Sequence, residues 1–230
     1  MCSGQGLIRY PRSSKLEQLA YASPKAVYGI SDGLSGNEIF RVFEDSHGDI
    51  WAGTLDTPQY TLSRWERSTG KWHRYLPAEA GIPTSTPTAF LEDSSGLWIG
   101  FYDGSFARHR DGRFTLFTKD DGLPAGFIRQ IYLDRAGRLW IATGDGGVAR
   151  VDDPAAGHPH FVAYTTADGL SSNQVTCVTE DLWGRIYVHV VTSGPGRSIV
   201  TSTLTIKPGM TLCLMRANGS LLTRRRVSRS

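Results

Sequence analysis

Short apolar runs recur along this chain, each closed by a turn that usually contains glycine. Phe40-Arg41-Val42-Phe43 and Ile131-Tyr132-Leu133 hold the aromatic and branched residues that pleated surfaces favour, and predict a first strand. The turns Ser46-His47-Gly48 and Arg135-Ala136-Gly137 follow them. The next run is apolar at consecutive positions, as in Leu139-Trp140-Ile141-Ala142, which predicts a second strand buried on both faces. Small residues beside each tryptophan let an indole fit between two close surfaces. A more polar hairpin completes the unit: Phe106-Ala107-Arg108-His109-Arg110 turns at Asp111-Gly112 into Arg113-Phe114-Thr115-Leu116-Phe117. Asp-Gly between two such runs signals a tight turn. No amphipathic helical stretch of useful length interrupts this rhythm.

The pattern keeps a long register. Its aromatic anchors Trp51, Trp98, Trp140 and Tyr187 stand 47, 42 and 47 residues apart, each preceded by an anchor glycine: Gly48, Gly96, Gly137 and Gly184. A second landmark, Asp32-Gly33-Leu34, Gly81-Ile82-Pro83, Asp121-Gly122-Leu123 and Asp168-Gly169-Leu170, sets Leu or Ile 16 or 17 residues before each anchor. Aspartates fall five or six positions before the anchors, at Asp45, Asp93, Asp134 and Asp181. Recurrence in this range marks an array of supersecondary units. Four antiparallel strands per unit, with inner strands buried on both faces, predict an all-β fold of the β-propeller type.

Residues 1–190 are therefore read as propeller repeats: a half blade over 6–28, blades over 29–75, 76–117 and 118–164, and a half blade over 165–190. This is a partial set of about four blades. The two halves would either pair and close a four-bladed ring, or belong to a slice of a larger ring. Units of forty-odd residues with wide tryptophan-filled sheets favour the slice.

Composition changes the picture at one end. The net charge of +3 is unevenly placed, because residues 190–230 carry seven basic groups and no Asp or Glu. The remainder holds 18 basic against 22 acidic residues, a balance that argues against nucleic acid as its partner. Residues 191–230 also lack Trp, Tyr and Phe. This basic tail reads as disordered, as out of the native frame, or as a patch for an acidic surface. Cys2, Cys177 and Cys213 are odd in number and scattered, suggesting neither a disulfide framework nor a zinc site. No run of 18 apolar residues predicts a membrane span. The start lacks the pattern of a secretory signal, so export is expected only if another segment precedes it.

Candidate chemistry is thin. Trp51, Trp98 and Trp140 are read as core rather than sugar platforms, and the four aspartates as turn formers. His158-Pro159-His160 lacks a third ligand at metal spacing. Gly144-Asp145-Gly146-Gly147 lacks the Lys-Ser/Thr ending of a phosphate loop. No catalytic residue, metal ligand or cofactor is assigned. Arg64, Trp65, Trp72 and His73 form the most amphipathic exposed cluster and are the weak ligand-binding candidates.

The combination Asp-Gly-Leu, then Glu-Asp, then Gly-x-Leu/Ile-Trp resembles the two-component regulator propeller repeat. Its matching stretches run from Asp32 to Thr54 and from Asp121 to Thr143, and the likeness extends over about residues 6–190. The second unit departs with Gly81-Ile82-Pro83 and Phe101, and the fourth with Tyr187 for Trp. The resemblance implies a non-catalytic sensor module, placed in the periplasm ahead of a membrane span and a histidine kinase or other output domain. It implies a small-molecule or oligosaccharide ligand. The competing expectation is a propeller lyase or hydrolase acting on a carbohydrate or lactone, as in streptogramin lyases.

Overall fold

The computed structural model describes residues 6–19, 21–55, 62–191, 203–206, 212–215 and 221–225. The chain divides into two compact units, residues 1–87 and 88–230. Almost all regular structure among the described residues is β, as the recurring strand-like runs predict. Among the described residues no helix is long and apolar enough to cross a membrane.

In the first unit, β1 (Leu7–Arg9) and β2 (Ala26–Tyr28) pair as a two-stranded sheet. A four-stranded antiparallel sheet follows: β3 (Ile39–Glu44), β4 (Ile50–Thr54), β5 (Leu62–Glu66) and β6 (Lys71–Tyr75). Leu34, Ile39 and Ala52 form its buried cluster, against which Leu7, Tyr28 and Trp72 pack.

The second unit, from residue 88 on, holds all but the first residue of β7 (Pro87–Asp93), with β8 (Gly96–Phe101), β9 (Phe106–Arg110) and β10 (Arg113–Phe117) in the same sheet. Another is built from β11 (Ile128–Leu133), β12 (Leu139–Thr143), β13 (Val148–Val151) and β14 (Phe161–Tyr164). The consecutive apolar positions of β12 do what their pattern predicts. Leu139 and Ile141 pack in a cluster with Trp98 and Phe106 of the preceding sheet, while Trp140 and Ala142 pack with Val175, Val178 and Ile186 of the following one. Gly100 permits the close stacking: a Cβ there would lie 2.4 Å from Ile128 Cγ2.

The last sheet begins with β15 (Val175–Glu180) and β16 (Ile186–Val190). Its remaining strands, β17 (Thr203–Ile206), β18 (Leu212–Met215) and β19 (Leu221–Arg225), come from the tail. The sequence pattern predicts a half blade over 165–190 and no third strand after it. The described pieces of the tail instead carry β16's ladder onward, with Tyr187 opposite Thr205. They are short runs of threonine and aliphatic residues, compatible with strands though without aromatics.

The two sequence landmarks have distinct local jobs. In Asp-Gly-Leu the carboxylate of Asp32, Asp121 or Asp168 accepts the N–H of Gly29, Thr118 or Thr165, at 2.8, 2.8 and 3.0 Å, and closes a short 3-10 turn. The glycine then takes the left-handed conformation, φ 94° at Gly122, and delivers a buried Leu123 to the core. Pro77–Ala80 makes a single helical turn in place of this device before Gly81 and Ile82.

Candidate functional site

Each of the four larger sheets carries a polar node built around its anchor. In the β11–β12 turn, Asp134 Oδ1 accepts the N–H groups of Ala136 (3.0 Å) and Arg138 (2.9 Å). Its Oδ2 accepts from Arg138 Nε (2.7 Å) and from the indole Nε1 of Trp140 (2.8 Å). The β3–β4 turn repeats this: Asp45 accepts from the N–H of His47 and Asp49 and from Trp51 Nε1, at 3.0, 2.9 and 2.8 Å. In the β15–β16 turn, Asp181 accepts from Trp183 N–H, Arg185 and the Tyr187 hydroxyl (2.9 Å). The β7–β8 turn is one residue shorter, and Ser95 mediates: Asp93 accepts from Ser95, whose Oγ accepts from Trp98 Nε1 at 3.2 Å. The aspartates are turn formers as expected, and Asp45 and Asp134 also satisfy the N–H of a buried indole, which its interior position demands.

A third-strand arginine faces each tryptophan across the ladder. Arg64 opposes Trp51, Arg108 opposes Trp98 and Arg150 opposes Trp140. Their guanidinium carbons lie 5.6, 5.3 and 5.9 Å from the ring centroids. An aromatic from the last strand also packs on each ring: Tyr75 stacks on Trp51 at 5.5 Å, and Phe117 and Tyr164 lie by Trp98 and Trp140. Sequence reasoning missed these arginines as a set. They follow the anchors by 13, 10 and 10 residues, and the longer β4–β5 loop hides the register.

The four ligand-binding candidates sit on the β5–β6 hairpin, but on two faces. Arg64 pairs with His73 across the ladder and Trp65 pairs with Trp72, so the pairs point in opposite directions. Trp65 and Trp72 lie against Tyr28, with centroids 6.5 and 5.7 Å away, and their indole nitrogens are buried without a hydrogen-bond partner among the described residues. On the other face, Arg64 Nε donates to Asp49 at 2.8 Å. Burial opposes the Arg64 charge, but Tyr75 and Asp49 outweigh it and raise its pKa. Burial likewise raises that of Tyr75. Hydrogen bonds from Thr69 and His73 hold Glu66 below the ordinary carboxylate range. Within the cluster, Arg64 and His73 are thus engaged by Asp49 and Glu66.

The remaining candidates stay apart. His158 and His160 are exposed on either side of a buried Pro159, and among the described residues no three His, Cys, Asp or Glu side chains converge as for a metal. The Gly144–Gly147 loop uses its own N–H groups: Gly144 donates to Phe127 O, Gly146 to Thr143 Oγ1 and Gly147 to Asn173 O. None of these three is available to a phosphate. The anchor glycines Gly48, Gly96, Gly137 and Gly184 all have positive φ, from 75° to 134°, and are parts of the turns.

A turn aspartate that accepts from a buried indole thus recurs at Trp51 and at Trp140. Residues 33–56 and 122–145 match the two-component regulator propeller repeat. Solved structures carry the same fold. The extracellular domain of the hybrid two-component system BT4673 from B. thetaiotaomicron superposes with a TM-score of 0.54 at 18% identity, over 90% of this chain and 32% of that one. A catalytically inactive virginiamycin B lyase from Staphylococcus aureus, solved with quinupristin, gives 0.50 at 16% identity, over 86% of this chain and 58% of the lyase. Kuenenia stuttgartiensis hydrazine synthase gives 0.51 at 15%, over 82% of this chain and 49% of that one. The chain thus spans about a third of the length of the regulator domain. No curated protein shows a significant match. With the regulator-propeller repeat in place, the fold is that of a β-propeller built from four-stranded blades.

Proposed function

We propose that this chain is part of a non-catalytic sensory propeller, which recognises a small molecule or oligosaccharide outside the cytoplasm and passes the event to a separate output domain such as a histidine kinase. The observation that carries this reading is the regulator-propeller repeat at residues 33–56 and 122–145. The chemistry of the blades supports it. Their recurring carboxylates are bonded to turn N–H groups and to indole or phenol donors. His47 lies in a turn and His109 on the third strand of its sheet, so the two occupy different places in their units. Repeat arrays of this kind offer extended surfaces for recognition.

The test uses the full chain. Isothermal titration against a panel of oligosaccharides is run beside an activity screen on carbohydrate and lactone substrates. Saturable binding without turnover is expected. Turnover abolished by replacing one histidine would refute the proposal and favour the lyase or hydrolase alternative.

A further inference from the structure

One end of the second unit carries a group of side chains that the repeat does not explain. Tyr102, just after β8, is 62% exposed, and its ring stacks with that of Phe127 at 5.2 Å and 22°. Arg129, at the register slip in β11, sets its guanidinium carbon 4.4 Å from the Phe127 centroid. The Arg129 Nε is buried with no hydrogen-bond acceptor, and none of the ion pairs among the described residues includes this arginine.

Counting from the anchors, with one residue allowed for the shorter β7–β8 turn, shows how unusual the set is. Leu55, Gly144 and Val191 occupy the position of Tyr102 in the other sheets, and Glu38, Thr86 and Gln174 that of Phe127. Phe40, Thr88 and Thr176 stand where Arg129 does. The fold is therefore made without an aromatic pair and an arginine at this place. Glycines also hold the group in position. A Cβ on Gly144 would lie 2.5 Å from the Phe127 ring, one on Gly126 would lie 2.7 Å from Asp145 N, and one on Gly104 would lie 2.9 Å from Gly126 O. Three loops are thus packed backbone to backbone beneath the rings, which makes the platform rigid.

We infer that Tyr102, Phe127 and Arg129 form a subsite for a small molecule that joins a stackable ring face to a carboxylate, either an aromatic acid or an acidic sugar. The exposed ring of Tyr102 offers a ligand ring a flat apolar partner. The guanidinium supplies a charge and planar donors that match a carboxylate. Asp103, the acidic side chain beside Tyr102, accepts the N–H of Ser105 at 3.0 Å. This subsite rests on the sensory reading and gives it a ligand class.

The test pairs each acid with a neutral twin: 4-hydroxybenzoate with 4-hydroxybenzyl alcohol, and galacturonate with galactose. Binding to the full chain is followed by saturation-transfer NMR and titration calorimetry. In at least one pair the acid should bind about tenfold or more tighter than its twin, and which pair responds separates the two sources. Arg129→Gln should erase that preference, and Tyr102→Ala should weaken binding while keeping it; far-UV circular dichroism checks that both variants fold. Lack of an acid preference in the unmodified chain, or a preference unchanged in Arg129→Gln, would overturn the subsite. Probe binding that neither substitution alters would also end the subsite yet leave the sensory reading standing, whereas turnover of a probe would end both.

Discussion

Replacing Asp134 with alanine removes the acceptor at the centre of the β11–β12 node. The carboxylate is fully covered, and four donors converge on it: Trp140 Nε1, Arg138 Nε and the N–H groups of Ala136 and Arg138. The indole suffers most, because Trp140 is wholly buried and water cannot replace the lost partner; an unsatisfied buried donor costs about 1–3 kcal/mol. Arg138 is 21% exposed and can rehydrate, so its lost ion pair contributes about 1 kcal/mol. The turn N–H groups add about 1 kcal/mol more. The total, about 3–5 kcal/mol, agrees with the usual cost of removing one partner from a buried polar pair. At roughly 3 °C per kcal/mol for a chain of this size, the melting temperature followed by circular dichroism should fall by about 10 °C. Asp93→Ala is the internal control. Asp93 reaches Trp98 through Ser95, so Ser95 Oγ remains to accept the indole and the drop should be less than half as large. Equal drops for the two variants, or a fall under 2 °C for Asp134→Ala, would refute the reasoning.

Three further outcomes follow from local geometry. Gly137 has φ 78° with open space around its missing Cβ, so Gly137→Ala should cost about 1 kcal/mol in urea unfolding and Gly137→Asn less, since asparagine tolerates that conformation. Gly100→Val pushes a side chain into Ile128, and should cost about 3 kcal/mol or prevent folding, with expression and thermal melting as readouts. Burial disfavours the Asp181 charge, but hydrogen bonds from Arg185, Tyr187 and Trp183 outweigh it and hold its pKa down at about 2. Because the folded value lies below the ordinary one of about 3.9, this contribution is complete above roughly pH 4 and is lost as pH falls toward 2. The stability gap between the unmodified chain and Asp181→Asn should narrow over that window, and a constant gap would contradict the assignment.

The fold was legible because its two landmarks report backbone geometry. Asp-Gly-Leu encodes a carboxylate-closed turn, a left-handed residue and a buried aliphatic, each of which leaves few alternatives. Consecutive apolar residues at 139–142 announced burial on two faces, and the packing of Leu139 and Trp140 into separate clusters follows. The aspartate-to-indole bond was hidden, since spacing along the chain does not show which way a side chain turns. The arginines opposite the anchors were hidden by unequal loops. The ligand candidates Arg64 and Trp65 are adjacent in a strand and so face opposite ways, which the period of two already implied. Tyr102 precedes Phe127 by 25 residues, and only the stacking of two sheets brings it to the Phe127 and Arg129 pair. The tail's strands lacked the aromatic signal that marks the other sheets.

The most direct test of the account reads the indole N–H groups themselves. In a chain labelled with 15N-tryptophan, hydrogen exchange is followed for the six indole signals, assigned by single Trp→Phe replacements. Trp51, Trp98 and Trp140 should exchange many orders of magnitude more slowly than Trp183, which is 76% exposed in a turn. An exchange rate for Trp140 as fast as that of Trp183 would contradict the stacked sheets and their buried aspartate nodes.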